Sequence, residues 1–211
     1  MMKKEALILL FALLPLLGQA QRIHGFVTSG LTMSQIEGDE LKGFRHYGYT
    51  GGVGALSAIS ANGRWGISVE ALYSQRGSYE KSGDPYNIRL DLNYVDIPLL
   101  IHYQDPYGGM LFGAGVTYGR LVQQPHNIMQ FDTNSFIPDT SDMSFLRNDI
   151  CATLDARFTI WKGLQFNIRW QYSIVPVKRE WHFDYFKAGR WRSNDNNCFN
   201  QAITMRLIYQ F

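Results

Sequence analysis

Eight charged residues recur at polar positions of alternating segments: Glu70, Asp91, Asp96, Asp155, Arg76, Arg157, Arg169 and Arg206. Around Glu70 the polar set runs Gly66, Ser68, Glu70 and Ser74; around Asp155 it runs Thr153, Asp155, Arg157 and Thr159. Acids and bases collected on one side of a wall have two uses. They can pair into a salt-bridged network, because isolated charges away from water are costly. Alternatively, they can line a narrow path for ions or protons. Acid–base catalysis is a third chemistry to weigh. The histidines are His24, His46, His102, His126 and His182. His46, His126 and His182 fall in long connections near Asp39, Asp132 and Asp184, and His102 falls on a polar set. A general base needs its partner within hydrogen-bond reach, which spacing alone does not supply. Neither Gly-x-Ser-x-Gly nor His-Glu-x-x-His occurs. No catalytic residue, cofactor site or metal ligand set is assigned, and no enzymatic activity is expected.

These charges need elements that sort polar from apolar. Leu164, Phe166, Ile168, Trp170, Tyr172 and Ile174 alternate with Gln165, Asn167, Arg169, Gln171 and Ser173. Period-2 alternation marks a strand with different surroundings on its two faces. Seven further segments read the same way: Ile23–Ile36, Tyr47–Ser60, Arg64–Gly77, Asn87–Tyr103, Gly109–Gln123, Asn148–Ile160 and the C-terminal stretch ending at Phe211. In the Asn87–Tyr103 segment the apolar residues change parity after Tyr94. One inserted residue flips every later side chain, so a β-bulge is expected near Tyr94–Val95, with further distortion at Pro98.

The turns at 61–63, 104–108 and 161–163 are short, whereas the connections 37–46, 78–86, 124–147 and 178–196 are long. That asymmetry, the even strand number and the final Phe211 describe an outer-membrane β-barrel. A soluble barrel would put its apolar set inside, and Gln165, Asn167, Arg169 and Gln171 do not fill an apolar core. The expected fold is an all-β, eight-stranded antiparallel up-and-down transmembrane barrel with both termini at the periplasm. Residues 1–20 read as a secretory signal peptide: Lys3 and Lys4 open it, an apolar run follows, and Gly18-Gln19-Ala20 precedes cleavage. The barrel domain is then 21–211.

The chain has 20 Lys+Arg and 18 Asp+Glu; losing Lys3, Lys4 and Glu5 with the leader lowers these to 18 and 17. Such a balance offers no electrostatic footprint for nucleic acid. Cys151 and Cys198 fall on strands separated by another strand, about 9–10 Å apart, beyond the Cα reach of a disulfide. Free thiols are the expectation. Glycines at 113, 115 and 119 share the polar parity, leaving space inside. An eight-stranded interior is nevertheless just wide enough for side chains to fill, which favours the paired network over a channel.

The last long connection carries Trp181, Phe183, Tyr185, Phe186 and Trp191 among Lys178, Arg179, Lys187, Arg190 and Arg192. Aromatics interleaved with cations can grip an anionic glycan or lipopolysaccharide head groups, or dock a protein. The plainer alternative is an interfacial girdle whose basic residues face lipid phosphates.

Asn93-Tyr94-Val95-Asp96-Ile97-Pro98-Leu99-Leu100-Ile101 resembles the signature of the PorT-like porin family, small outer-membrane barrels of the Bacteroidota. Gly30–Asp39, Gly48–Gly52 and Ser74-Gln75-Arg76-Gly77 resemble further family stretches. The resemblance implies an eight-stranded barrel of the outer membrane. It brings no catalytic residues, and some members are implicated in secretion. The expected role is that of a structural or interaction component of the envelope, monomeric, in contact with outer-membrane lipid including lipopolysaccharide and with an envelope or secretion protein. A small passive pore is the alternative, and an outer-membrane enzyme the second.

Overall fold

The computed structural model describes residues 23–38, 43–81, 86–107, 109–123, 128–131, 145–187 and 190–211. The leader expected over 1–20 lies outside them, as do Asp39, His126 and Asp132. Ten strands form: β1 (Ile23–Glu37), β2 (His46–Ala58), β3 (Trp65–Lys81), β4 (Tyr86–Gln104), β5 (Met110–Gln123), β6 (Ile128–Phe131), β7 (Asn148–Trp161), β8 (Leu164–Ser173), β9 (Lys178–Lys187) and β10 (Arg190–Gln210). Eight of them run β1-β2-β3-β4-β5-β7-β8-β10, every pair antiparallel, and β10 pairs back onto β1 to close the barrel. β6 pairs only with the start of β4, and β9 only with the first part of β10.

Closure follows from two-faced strands. Val27, Leu31, Val53, Val69, Leu99, Val116, Leu154 and Leu207 are exposed on the outer wall, as a lipid-facing surface requires. Aromatic pairs mark both rims: Trp65 against Tyr103 at the end holding the chain termini, and Tyr172 against Trp170 and Phe199 towards the other. The short turns lie at the terminal end and the long connections at the opposite, loop end.

The structure corrects the parity change in β4. The ladder irregularity does fall at Asn93/Tyr94, but the extra residue is Val122 of β5, between Leu121 and Gln123. β4 therefore keeps one phase. Leu90, Leu92, Tyr94, Asp96, Leu100 and His102 are all buried inside, and Val95, Ile97, Leu99 and Ile101 are all exposed outside. The β3–β4 ladder skips the two rows between Val69↔Leu99 and Leu72↔Asp96, beside Pro98, which has no N–H to give. A second correction concerns the segment expected as a loop over 178–196. It is a β-ribbon: β9 and the first part of β10 pair from Lys178↔Cys198 to Lys187↔Arg190.

Candidate functional site

The lumen is filled by three layers of side chains. Nearest the termini, Glu70 of β3 gathers three guanidiniums from three strands. Its Oε1 accepts from Arg157 Nη2 and Arg169 Nη2, each at 2.8 Å. Its Oε2 accepts from Arg169 Nη1 and Arg206 Nη1, each at 3.0 Å. Asp155 accepts from Arg157 Nε and Arg169 Nε at 2.9 Å and from Asn167 Nδ2 at 2.8 Å. Asn167 Oδ1 in turn accepts from Arg206 Nε at 2.8 Å. Below them Phe26 presents its ring to the Arg157 guanidinium, 4.9 Å from its centre. Every group here is buried. Opposite charges and fork-shaped donors are what make such burial tolerable.

The middle layer is centred on Arg76, which donates to Asp96 through Nη2 and to Asp149 through Nη1, the latter at 3.2 Å. Asn200 Nδ2 donates to Asp149 and to the Tyr94 hydroxyl, at 3.0 and 3.1 Å. The Arg76 guanidinium also stacks on the Tyr94 ring, 5.1 Å from its centre. Asp149 is the lumen acid that the sequence reading left out. It shares the odd parity of Cys151, Thr153 and Asp155, and that parity was its signal. With Asp149 counted, four carboxylates face four guanidiniums. The terminal-end layer holds three arginines against two acids, and the middle layer one against two.

Asp91, assigned to this network from its spacing, is not in it. On a β4 without a phase change it falls on the parity opposite to Leu90, Leu92, Tyr94 and Asp96. Its Oδ1 meets His46 Nε2 at 2.7 Å at the loop end, where it is one-third exposed. His46 opens β2 rather than lying in a loop, and it is buried. Its Nδ1 lies 3.1 Å from Ser34 Oγ, which also bonds Gly77 O at 3.0 Å and Gly77 N at 2.9 Å. Serine, histidine and aspartate are thus joined, but the serine is buried and occupied by the Gly77 backbone. The set clamps β1, β2, β3 and β4 together at their loop ends.

The outermost layer is apolar. Ile36, Leu90, Leu92, Leu121, Phe145, Val177 and Cys198 form one buried cluster with Tyr94, and Lys178 lies over the Phe145 ring at 5.6 Å. The inward glycines of β5 leave no open space. They are where side chains of β4 lie: a Cβ on Gly113 would meet His102 Nδ1 at 2.5 Å, and one on Gly119 would meet Asp96 Oδ1 at 2.8 Å. Both thiols are buried, and Cys151 and Cys198 form no disulfide. Among the described residues no group of His, Cys, Asp and Glu is arranged to hold a metal ion.

Trp181, Phe183, Tyr185, Phe186, Arg190 and Trp191 all lie on the β9–β10 ribbon, beyond the barrel wall. The structure therefore separates two candidate regions: a filled, charge-matched lumen and a ribbon standing above it.

A family model described as "Outer membrane protein beta-barrel domain" matches residues 19–179. Among solved structures, the chain is similar to Ail, the attachment invasion locus protein of Yersinia pestis, at 9% identity over 89% of this chain and 98% of that one, with a TM-score of 0.47. Neisserial surface protein A aligns at 9% identity over 89% and 97%, TM-score 0.45. Outer membrane protein OprG from Pseudomonas aeruginosa aligns at 12% over 90% and 97%, TM-score 0.41. No curated protein matches the chain.

Proposed function

Since this chain belongs to the outer membrane protein beta-barrel domain family, we propose that it is a closed anchor, a structural or interaction component of the envelope that works through its loop end. The observation that carries this reading is the filled lumen. Ile36, Leu92, Tyr94 and Val177 are each at most 1% exposed at the loop end, and the arginine–carboxylate layers lie beneath them. A hydrated ion needs a continuous wet path, and an eight-stranded barrel has no width to spare once its side chains are in place. Ser34 is engaged by Gly77 through both its carbonyl and its N–H, so this serine holds backbone rather than attacking a substrate.

Within the family, we place the chain in the PorT-like branch, with a role in secretion across the outer membrane and with both termini periplasmic. The support is that the stretches resembling that branch meet in space. Arg76 of Ser74–Gly77 pairs with Asp96 of Asn93–Ile101, and Ser34 of Gly30–Asp39 bonds Gly77. These stretches hold the wall together, and a partner is met elsewhere.

Planar-bilayer conductance of the refolded chain tests the closed anchor. A silent, folded barrel is expected, whereas discrete conductance steps would replace this reading with a pore. A pull-down from outer-membrane extract, with and without the ribbon, tests the partner contact.

A further inference from the structure

Towards the loop end the outward face of the wall turns from apolar to carboxamide. Gln35 of β1, Gln75 of β3, Asn93 of β4, Asn148 of β7 and Gln201 of β10 each stand two positions beyond an apolar outward residue. The register sets Gln35 beside Gln201 and Gln75 beside Asn93, so the amides form a belt around the barrel. A neutral amide at the edge of hydrocarbon needs hydrogen bonds but no counter-ion. Gln35 Nε2 accordingly donates to Gln201 Oε1 at 2.6 Å.

Arg120 occupies this level on β5 and carries a charge. It continues the exposed set Phe112, Ala114, Val116 and Tyr118, with Val95 of β4 on one side and Asn148 of β7 on the other. Its guanidinium is held against the wall: Arg120 Nη1 donates to Asn148 Oδ1 at 3.0 Å, and the Tyr118 hydroxyl donates to the same oxygen at 2.9 Å. A second exposed arginine adjoins it. Arg147 O accepts from Leu121 N at 2.8 Å, which puts Arg147 one residue from Asn148 at the same height. Among the described residues no carboxylate pairs with either arginine. Asp96 and Asp149 are turned into the lumen towards Arg76, Asp91 meets His46, and Glu37 accepts from the Tyr172 hydroxyl at 2.8 Å. Two cations without a protein counter-ion therefore stand where the apolar wall ends. A guanidinium there lays its stem along apolar surface and presents its head to the lipid head groups.

We propose that Arg120 and Arg147 hold a phosphate of lipid A, the phosphorylated glycolipid that anchors lipopolysaccharide, with its acyl chains along Tyr118 and Ile150. Guanidinium forks match phosphate oxygens, and basic sites at the membrane edge take anionic head groups. Asn148 fixes one fork before the lipid arrives, which lowers the cost of ordering it. The inference rests on the proposed orientation: with both termini periplasmic, the loop end lies in the lipopolysaccharide leaflet. It gives the closed anchor a lipid that it holds on one side of its wall.

The test uses the full chain refolded in detergent micelles and native mass spectrometry to count retained lipid. Lipid A is the probe, with dephosphorylated lipid A and phosphatidylglycerol as comparators. Lipid A should be retained, and its dephosphorylated form should bind at least tenfold more weakly. Arg120→Ser with Arg147→Ser should weaken lipid A binding at least tenfold, and Arg120→Lys should retain most of it. Arg64→Ser with Lys162→Ser, which removes exposed cations from turns at the terminal end, should leave it unchanged. Heat-modifiable gel mobility reports folding of each variant. Equal binding of the dephosphorylated form, phosphatidylglycerol binding as tightly, equal loss from the two pairs of cations, or no retained lipid A would overturn the proposal. Labelling of intact cells through a tag inserted in the 124–147 connection reads the orientation separately. An inverted barrel that binds lipid A and a correctly oriented one that does not are thus told apart.

Discussion

Arg169 grips both oxygens of Glu70 from across the barrel, Nη1 to Oε2 at 3.0 Å and Nη2 to Oε1 at 2.8 Å, although the two residues stand 99 positions apart in the chain. This two-pronged contact ties β8 to β3 through the lumen, and Glu70 is shared with Arg157 and Arg206.

Glu70→Gln should therefore be among the most damaging lumen changes. It leaves three buried guanidiniums facing Asp155 alone. Breaking a buried pair by removing one partner costs about 3–5 kcal/mol. Urea titration of the refolded barrel in detergent checks this; a loss under about 1 kcal/mol would mean that the layer is wet and screened.

Arg169→Ala should not open a path for ions. The apolar cluster around Leu92 and Val177 lies above the ionic layers and is untouched by the change. Bilayer recordings should stay silent for the variant, and steps appearing with it would show that the ionic layer is the only barrier.

Gly113→Val should displace His102, whose ring occupies the volume above that glycine. The ring is held to Ser68 by a 2.7 Å hydrogen bond. Overpacking of this kind costs about 1–3 kcal/mol. The readout is the urea midpoint, with the His102 ring resonances in NMR reporting the displacement directly.

Cys151 and Cys198 should resist a maleimide in the folded barrel and react in urea, because both are buried. Mass spectrometry counts the adducts. Rapid modification of the native barrel would show that water reaches the lumen.

His46→Ala should loosen the loop ends by about 1–3 kcal/mol, the cost of leaving buried polar partners unmade. Ser34 and Asp91 both lose a partner. Amide exchange at β1 and β2 near Ser34 should rise while the terminal end stays protected.

Much of the wall was legible in the sequence because lipid imposes one rule on every outward position. β8 shows it most plainly: Leu164 to Tyr172 outward, Gln165 to Gln171 inward. The lumen imposes no such rule. Its loop end is apolar and its terminal end ionic, so Leu90, Leu92 and Tyr94 look like lipid-facing residues while lying inside. That ambiguity produced the expected phase change in β4 and moved Asp91 into the network. Asp149 was passed over at the first turn of its strand, where alternation had barely begun. The ribbon was hidden for a related reason. Its aromatic residues run through both parities, Trp181, Phe183 and Tyr185 at odd positions and Phe186 at an even one, and its pairing appears only in the register.

The seam between β1 and β10 runs from Phe26↔Gln210 to Glu37↔Phe199, joining the two ends of the described chain. Closing so long a loop is entropically slow. Until β10 docks, β1 and β8 each present unpaired backbone, a template for aggregation with another copy. The unclosed sheet is already charge-matched around Glu70, since Asp155 and Glu70 face Arg157 and Arg169. The closing strand delivers the third guanidinium, Arg206. Assembly of this barrel is therefore governed by the docking of β10, and a sheet stalled before that step exposes two sticky margins to the envelope.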